Sequence, residues 1–147
     1  MAMPPIESLL PHAGRMRLID RVVWFDEHRV VCESDSHRAV DHPLAFDQAL
    51  PIACGLEYGA QAMAIHGSLL ASSSGASEPG VGHGYLVAAS DLRWTTERLD
   101  RCEGALVIEA VSELRTDRHV AYRFELKAGG RCVMTGRASV LLPTPQR

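Results

Sequence analysis

Glu57 stands in the middle of "LPIACGLEYGAQAMA" (50–64), a stretch of small and apolar residues that reads as a helix. A carboxylate in a segment built for burial costs free energy unless it is paired or performs chemistry. Gln61, four residues on, falls on the same helical face, so the plain alternative is an exposed glutamate beside a glutamine. The chemistry open to such a residue is proton transfer. A carboxyl whose pKa is raised by its surroundings serves as an acid near neutrality, and a histidine supplies the matching base. The chain has seven histidines. His42 lies in a loop before the helix, and His12 lies just ahead of the first strand. His66 and His83 read as surface or linker residues, and His28, His37 and His119 as residues of turns or loops. No pair of them has H-x-x-x-H spacing with an acid nearby, so no metal site is expected.

The elements that must position these groups follow from the charge pattern. Residues 1–40 carry five Lys+Arg and six Asp+Glu, and residues 91–147 carry ten and eight. Residues 41–90 carry no Lys or Arg and four acids, so the helix in this middle segment is the core element. "PPIESLLPHAGR" opens with a short helical turn, which Pro11 ends. "MRLIDRVVWFDEHRVVCESD" reads as two strands joined by a turn at residues 26–29. A loop spans residues 35–50. From Pro51 the pattern is helical, and its glycines at 55, 59 and 67 suit a close approach by a sheet. "ASSSGASEPGVGHG" (71–84) reads as a mobile Ser/Gly linker. Four strand-like runs follow, the last two separated by Gly129–Gly130, a hairpin signal. Joined by short turns, they predict a meander covering the helix. The fold class is α+β: one long central helix wrapped by a curved antiparallel sheet, in a single domain over residues 1–147.

Length and composition agree. The chain has 147 residues, 46% apolar and 22% charged, the profile of one globular domain. A net charge of −3 points away from nucleic acid. No run approaches the ~18 apolar residues of a membrane span. The N-terminus does not read as a signal peptide, which favours the cytoplasm. Cys32, Cys54, Cys102 and Cys132 are scattered and read as reduced thiols.

Three stretches carry a resemblance: "LLPHAGRMRLIDRV" (9–22), "LPIACGLEYGAQAMA" (50–64) and "GYLVAASDLRW" (84–94). Over nearly its whole length the chain resembles the hotdog-fold 3-hydroxyacyl-[acyl-carrier-protein] dehydratases. The flavour of the helix is closest to the small dehydratases of aryl-polyene-type pigment pathways. The resemblance implies a lyase that converts a 3-hydroxyacyl thioester on acyl carrier protein to the trans-2-enoyl thioester, in fatty acid or polyketide biosynthesis, without a cofactor. It implies Glu57 as the acid and His42 as the base, with His12 as the weaker candidate. It places the polarisation of the thioester carbonyl on the backbone N–H of Ile52. Arg93, Arg98 and Arg101 are weak candidates for contact with the carrier protein, since Glu97, Asp100 and Glu103 interleave them. The chain departs from the family at Pro11-His12-Ala13-Gly14-Arg15, at Asp41-His42-Pro43-Leu44, and at Ile52, where the family has glycine.

The resemblance also implies a homodimer joined through sheet edges, with His42 meeting Glu57 most simply across the interface. Two other readings stay open. One is a hotdog thioesterase in which Glu57 activates water. The other is a non-catalytic acyl-binding or partner subunit.

Overall fold

The computed structural model describes residues 4–10, 14–73 and 85–142. Two strands come first, β1 (Arg21–Phe25) and β2 (Arg29–Ser34). A 3-10 turn at Ile52–Cys54 leads into the long helix α1 (Gly55–Ser73), and four strands follow. These are β3 (Tyr85–Trp94), β4 (Leu106–Arg115), β5 (His119–Ala128) and β6 (Arg131–Leu141). All six strands form one antiparallel sheet in the order β1-β2-β4-β5-β6-β3, curved around the helix. Among the described residues, no helix is long and apolar enough to cross a membrane.

The strands alternate as a half-buried sheet requires. On β5, Val120, Tyr122, Phe124, Leu126 and Ala128 are buried, and on β4 Leu106, Ile108 and Ala110 are. The helix sends Tyr58, Ala62, Ile65 and Leu69 into the same core. Close approach depends on Gly59. A Cβ there would stand 2.9 Å from the Phe124 ring, closer than carbon atoms pack. The expected hairpin is present: Gly129 and Gly130 take φ of +57° and +76° between the paired ends Ala128 and Arg131.

Two expectations need correcting. The last four strands are not one meander. β4, β5 and β6 follow each other in the sheet, but β3 pairs with β6 at the far edge. The segment between β3 and β4 crosses over the start of the helix instead of turning back. It is held there by Leu99 N–H to Leu50 O (2.9 Å) and by Ile52 N–H to Glu97 O (2.9 Å). Second, the helix runs on through Ala71–Ser73, so the linker cannot begin at residue 71. The remainder of that linker, and its expected mobility, lie outside the described residues.

Candidate active site

The first two turns of α1 place three polar side chains in sequence. Gln61 is fully buried. Its Oε1 accepts from the Leu18 N–H (2.8 Å), and its Nε2 donates to the Met16 carbonyl (2.8 Å) and to Glu57 Oε1 (3.3 Å). The shared face of Glu57 and Gln61 is therefore real. Gln61 does more than neighbour the carboxylate: it pins the chain ahead of β1 to the helix. Glu57 itself is half-buried.

Tyr58, the next residue, is fully buried and points to a different group. Its hydroxyl lies 3.0 Å from His42 Nε2 and 2.6 Å from Ser36 Oγ. Ser36 Oγ in turn donates to the Leu18 carbonyl (2.7 Å), and at the other end Leu44 N–H donates to His42 Nδ1 (3.0 Å). Ser34 Oγ joins the same network, 2.9 Å from Ser36 Oγ. A backbone N–H only donates, so Nδ1 accepts, and the neutral ring carries its proton on Nε2. Nε2–H then donates to Tyr58, whose hydroxyl also shares a hydrogen bond with Ser36 Oγ. Burial pushes the Tyr58 phenol up to about 12, so it stays protonated throughout the neutral range. The expected loop histidine is thus brought to the helix and buried, at 6% exposure.

Ile52, whose N–H was expected to face the thioester carbonyl, is committed within the fold. The Ile52 N–H is spent on Glu97 O, as part of the bridge between Pro51 and Arg98. Cys54 N–H goes to Pro51 O, and Gly55 N–H to the Ile52 and Ala53 carbonyls. Among the described residues, no backbone acceptor is found for the Ala53 N–H, and Ala53 is exposed.

Arg98 is also committed elsewhere. Its guanidinium grips Asp100 through Nη2–Oδ2 (2.6 Å) and Nε–Oδ1 (3.1 Å), while Asp100 Oδ1 also accepts from Leu50 N–H (3.0 Å). The Arg98 side chain hydrogen-bonded to it holds the Asp100 carboxyl down at about 2. Arg98 therefore fastens the crossover to the helix entrance. Arg93 and Arg101 are exposed.

The histidines sort differently from expectation. His12 lies outside the described residues, as does His83. His66, expected at the surface, is fully buried: Tyr122 OH lies 2.8 Å from its Nδ1, and its Nε2 donates to the Asp26 carbonyl (2.9 Å). His37 is buried too, donating from Nε2 to Cys102 O (2.9 Å). Burial lowers the pKa of both. The sequence reading missed Tyr58 and Ser36. Their only signal was adjacency, since Tyr58 follows Glu57 and Ser36 opens the loop that carries His42.

The chain belongs to the ApeP-like dehydratase family, whose model, described as ApeP dehydratase, matches residues 4–147. Among solved structures it is similar to the dehydratase heterocomplex ApeI:P from Xenorhabdus doucetiae. That match has a TM-score of 0.84 and 20% identity, covering 97% of this chain and 93% of that one. It is also similar to an HP0420 homologue from Helicobacter felis (TM-score 0.66, 12% identity, 100% and 96% covered). A third is a hypothetical thioesterase with coenzyme A from Streptococcus pneumoniae (0.58, 14%, 86% and 88%). At these identities the structural likenesses show the hotdog fold. No curated protein matches the sequence.

Proposed function

We propose that this chain dehydrates a 3-hydroxyacyl thioester, carried on the phosphopantetheine arm of an acyl carrier protein, to the trans-2-enoyl thioester. Membership of a dehydratase family supports a lyase. The observation that carries the site assignment is the burial of the His42 ring against α1, the helix that bears Glu57. Glu57 and Tyr58 are consecutive on α1, and the Tyr58 hydroxyl holds the His42 imidazole at 3.0 Å.

The reaction removes a proton from C2 and expels the C3 hydroxyl as water. His42 takes the first proton, and Glu57, as the acid, supplies the second. The Ala53 N–H, rather than that of Ile52, is the open donor for the thioester oxygen as negative charge develops on it. No step needs a cofactor. Arg93 and Arg101 are the exposed cations for the acidic carrier protein, with Arg98 withdrawn by its grip on Asp100.

The working unit in this reading has two chains, with His42 of one serving Glu57 of the other. The identical chain is the expected partner. The ApeI:P structure is described as a heterocomplex, which makes a different hotdog chain the alternative.

The test is to incubate the protein with a 3-hydroxyacyl thioester and follow enoyl absorbance and free thiol together. Enoyl without thiol supports the lyase. Thiol without enoyl makes it a thioesterase, and neither product makes it a binding subunit.

A further inference from the structure

The loop between β2 and α1 holds two large apolar side chains in water. Val40 is fully exposed and Phe46 is 78% exposed, although an aromatic ring gains free energy by leaving water. The backbone beneath Phe46 is a closed two-residue turn. Phe46 N–H donates to Ala49 O (2.8 Å), and Ala49 N–H donates to Phe46 O (3.0 Å). Its central residues, Asp47 and Gln48, both take left-handed φ, +54° and +64°, which residues other than glycine adopt at a cost. Both sides of the turn are fastened. The His42 ring is buried ahead of it. Behind it Leu50 is buried, donating its N–H to Asp100 Oδ1 (3.0 Å) and accepting from Leu99 N–H (2.9 Å). A strained turn on two fixed posts therefore displays the Phe46 ring. The turn is also tied to the open edge of the sheet. Among the described residues β3 pairs on one side only, and it exposes Leu86, Val87 and Trp94. The crossover starts directly after Trp94, and its Glu97 carbonyl accepts from the N–H of Ile52, just past the turn. One connected part of the fold thus carries both the apolar edge and the apolar tip.

We propose that Phe46, with Val40 of the same loop, is a docking knob that seats the β2–α1 loop on a second copy of this chain when two β3 edges join. Symmetry favours a second copy as the occupant. A two-fold axis that pairs β3 with β3 carries the loop tied to each edge toward the other chain, so one apolar surface covers itself. The proposal rests on the two-chain dehydratase reading above and deepens it, because the loop that Phe46 seats is the one that bears His42. Phe46 touches no reacting atom and is a positioning residue. The strain at Asp47 and Gln48 then has a use: the ring is held ready before the chains meet, and association does not have to order it.

Sedimentation equilibrium of the whole chain, without substrate, measures the association directly. The parent should reach twice 16.0 kDa at micromolar concentration. Phe46→Ser should weaken association by about 10–30-fold, the worth of a buried aromatic anchor. It should keep the parent's circular dichroism, because the ring is exposed in the single chain. Phe46→Leu should recover most of the affinity, and Val40→Ser should weaken it less than Phe46→Ser does. With a 3-hydroxybutyryl thioester, the specific rate of Phe46→Ser should fall on dilution and return at concentrations that restore the dimer, a dependence that a residue serving the fold alone would not give. A dissociation constant unmoved by Phe46→Ser overturns the knob, and so does a parent chain that stays at 16.0 kDa. A parent dimer that forms no enoyl product sinks the dehydratase reading instead, and the association constants still decide for or against Phe46.

Discussion

At the scale of single residues, the Glu57 carboxylate is the simplest to test. Glu57→Gln is nearly isosteric and keeps an acceptor for Gln61 Nε2. In the proposed reaction it removes only the proton that the leaving hydroxyl needs. Dehydration should fall about 10²–10⁴-fold, the usual worth of one acid or base. The melting temperature should hold or rise, because active-site groups are commonly kept at a cost in stability. Normal turnover by this variant would make Glu57 structural. A second residue-scale prediction concerns His66, which has no part in the mechanism. Buried between Tyr122 and the Asp26 carbonyl, it has a folded-state pKa below the ordinary 6.5, chiefly through desolvation, and His37 behaves likewise. The unfolded chain therefore binds protons that the folded chain refuses. The full stability is present above about pH 6.5 and is lost progressively as pH falls below it. His66→Gln offers an amide N–H to Asp26 O and an oxygen to Tyr122 without titrating. Melting curves at pH 7.5 and 5.5 should show a smaller drop for the variant than for the parent. Equal drops would show that His66 does not control the acid limb.

The elements show what a sequence can and cannot declare. Strand alternation and the Gly129–Gly130 turn are local, and both were legible. So was the helix from Pro51 onward, because its composition changes abruptly there. The position of β3 was not, since nothing in its own residues says that it pairs with β6 rather than β4. That choice is made by the crossover, where Arg98, Asp100 and Leu50 lock across 50 residues of sequence. The same remoteness explains Ile52. Its N–H looked open because the helix start has no earlier residue to bond to, yet Glu97 comes from beyond β3 to take it. His42 was legible as a residue type and loop position, but its contact with Tyr58, and through it Ser36, is made only by the fold. The helix–sheet contact at Gly59 gives a test at this scale. Gly59→Val puts atoms within the Phe124 ring's own space and should cost about 1–3 kcal/mol. At roughly 2–4 °C per kcal/mol, the melting point should fall visibly. Adding Phe124→Leu should recover part of that loss, a coupling that two independent sites would not show.

At the scale of the whole molecule, the sheet is unfinished, and its two ends differ. β1 is five residues long, carries an irregular register at Val22/Trp24, and has Arg29 stacked over Trp24 at 5.5 Å. A short, irregular strand beside a charge is a protected edge. β3 has ten residues, pairs on one side only, and exposes Leu86, Val87 and Trp94 at 40%, 55% and 50%. A long apolar edge of this kind recruits another strand, and a two-fold axis lets an identical edge satisfy it. β3 is therefore the edge through which two chains should join. Light scattering at micromolar concentration should give twice the chain mass of 16.0 kDa, that is 32.0 kDa. Val87→Lys puts a charge on that edge and should shift the mass toward 16.0 kDa while the circular dichroism of the helix is kept. If the proposed pair forms between chains, it should also lower dehydration, because His42 of one chain is then parted from Glu57 of the other. A parent protein that runs as a clean 16.0 kDa species and still dehydrates at full rate would confine the whole site to one chain. A 16.0 kDa species that becomes active only with a different hotdog chain would replace the identical partner with an unlike one.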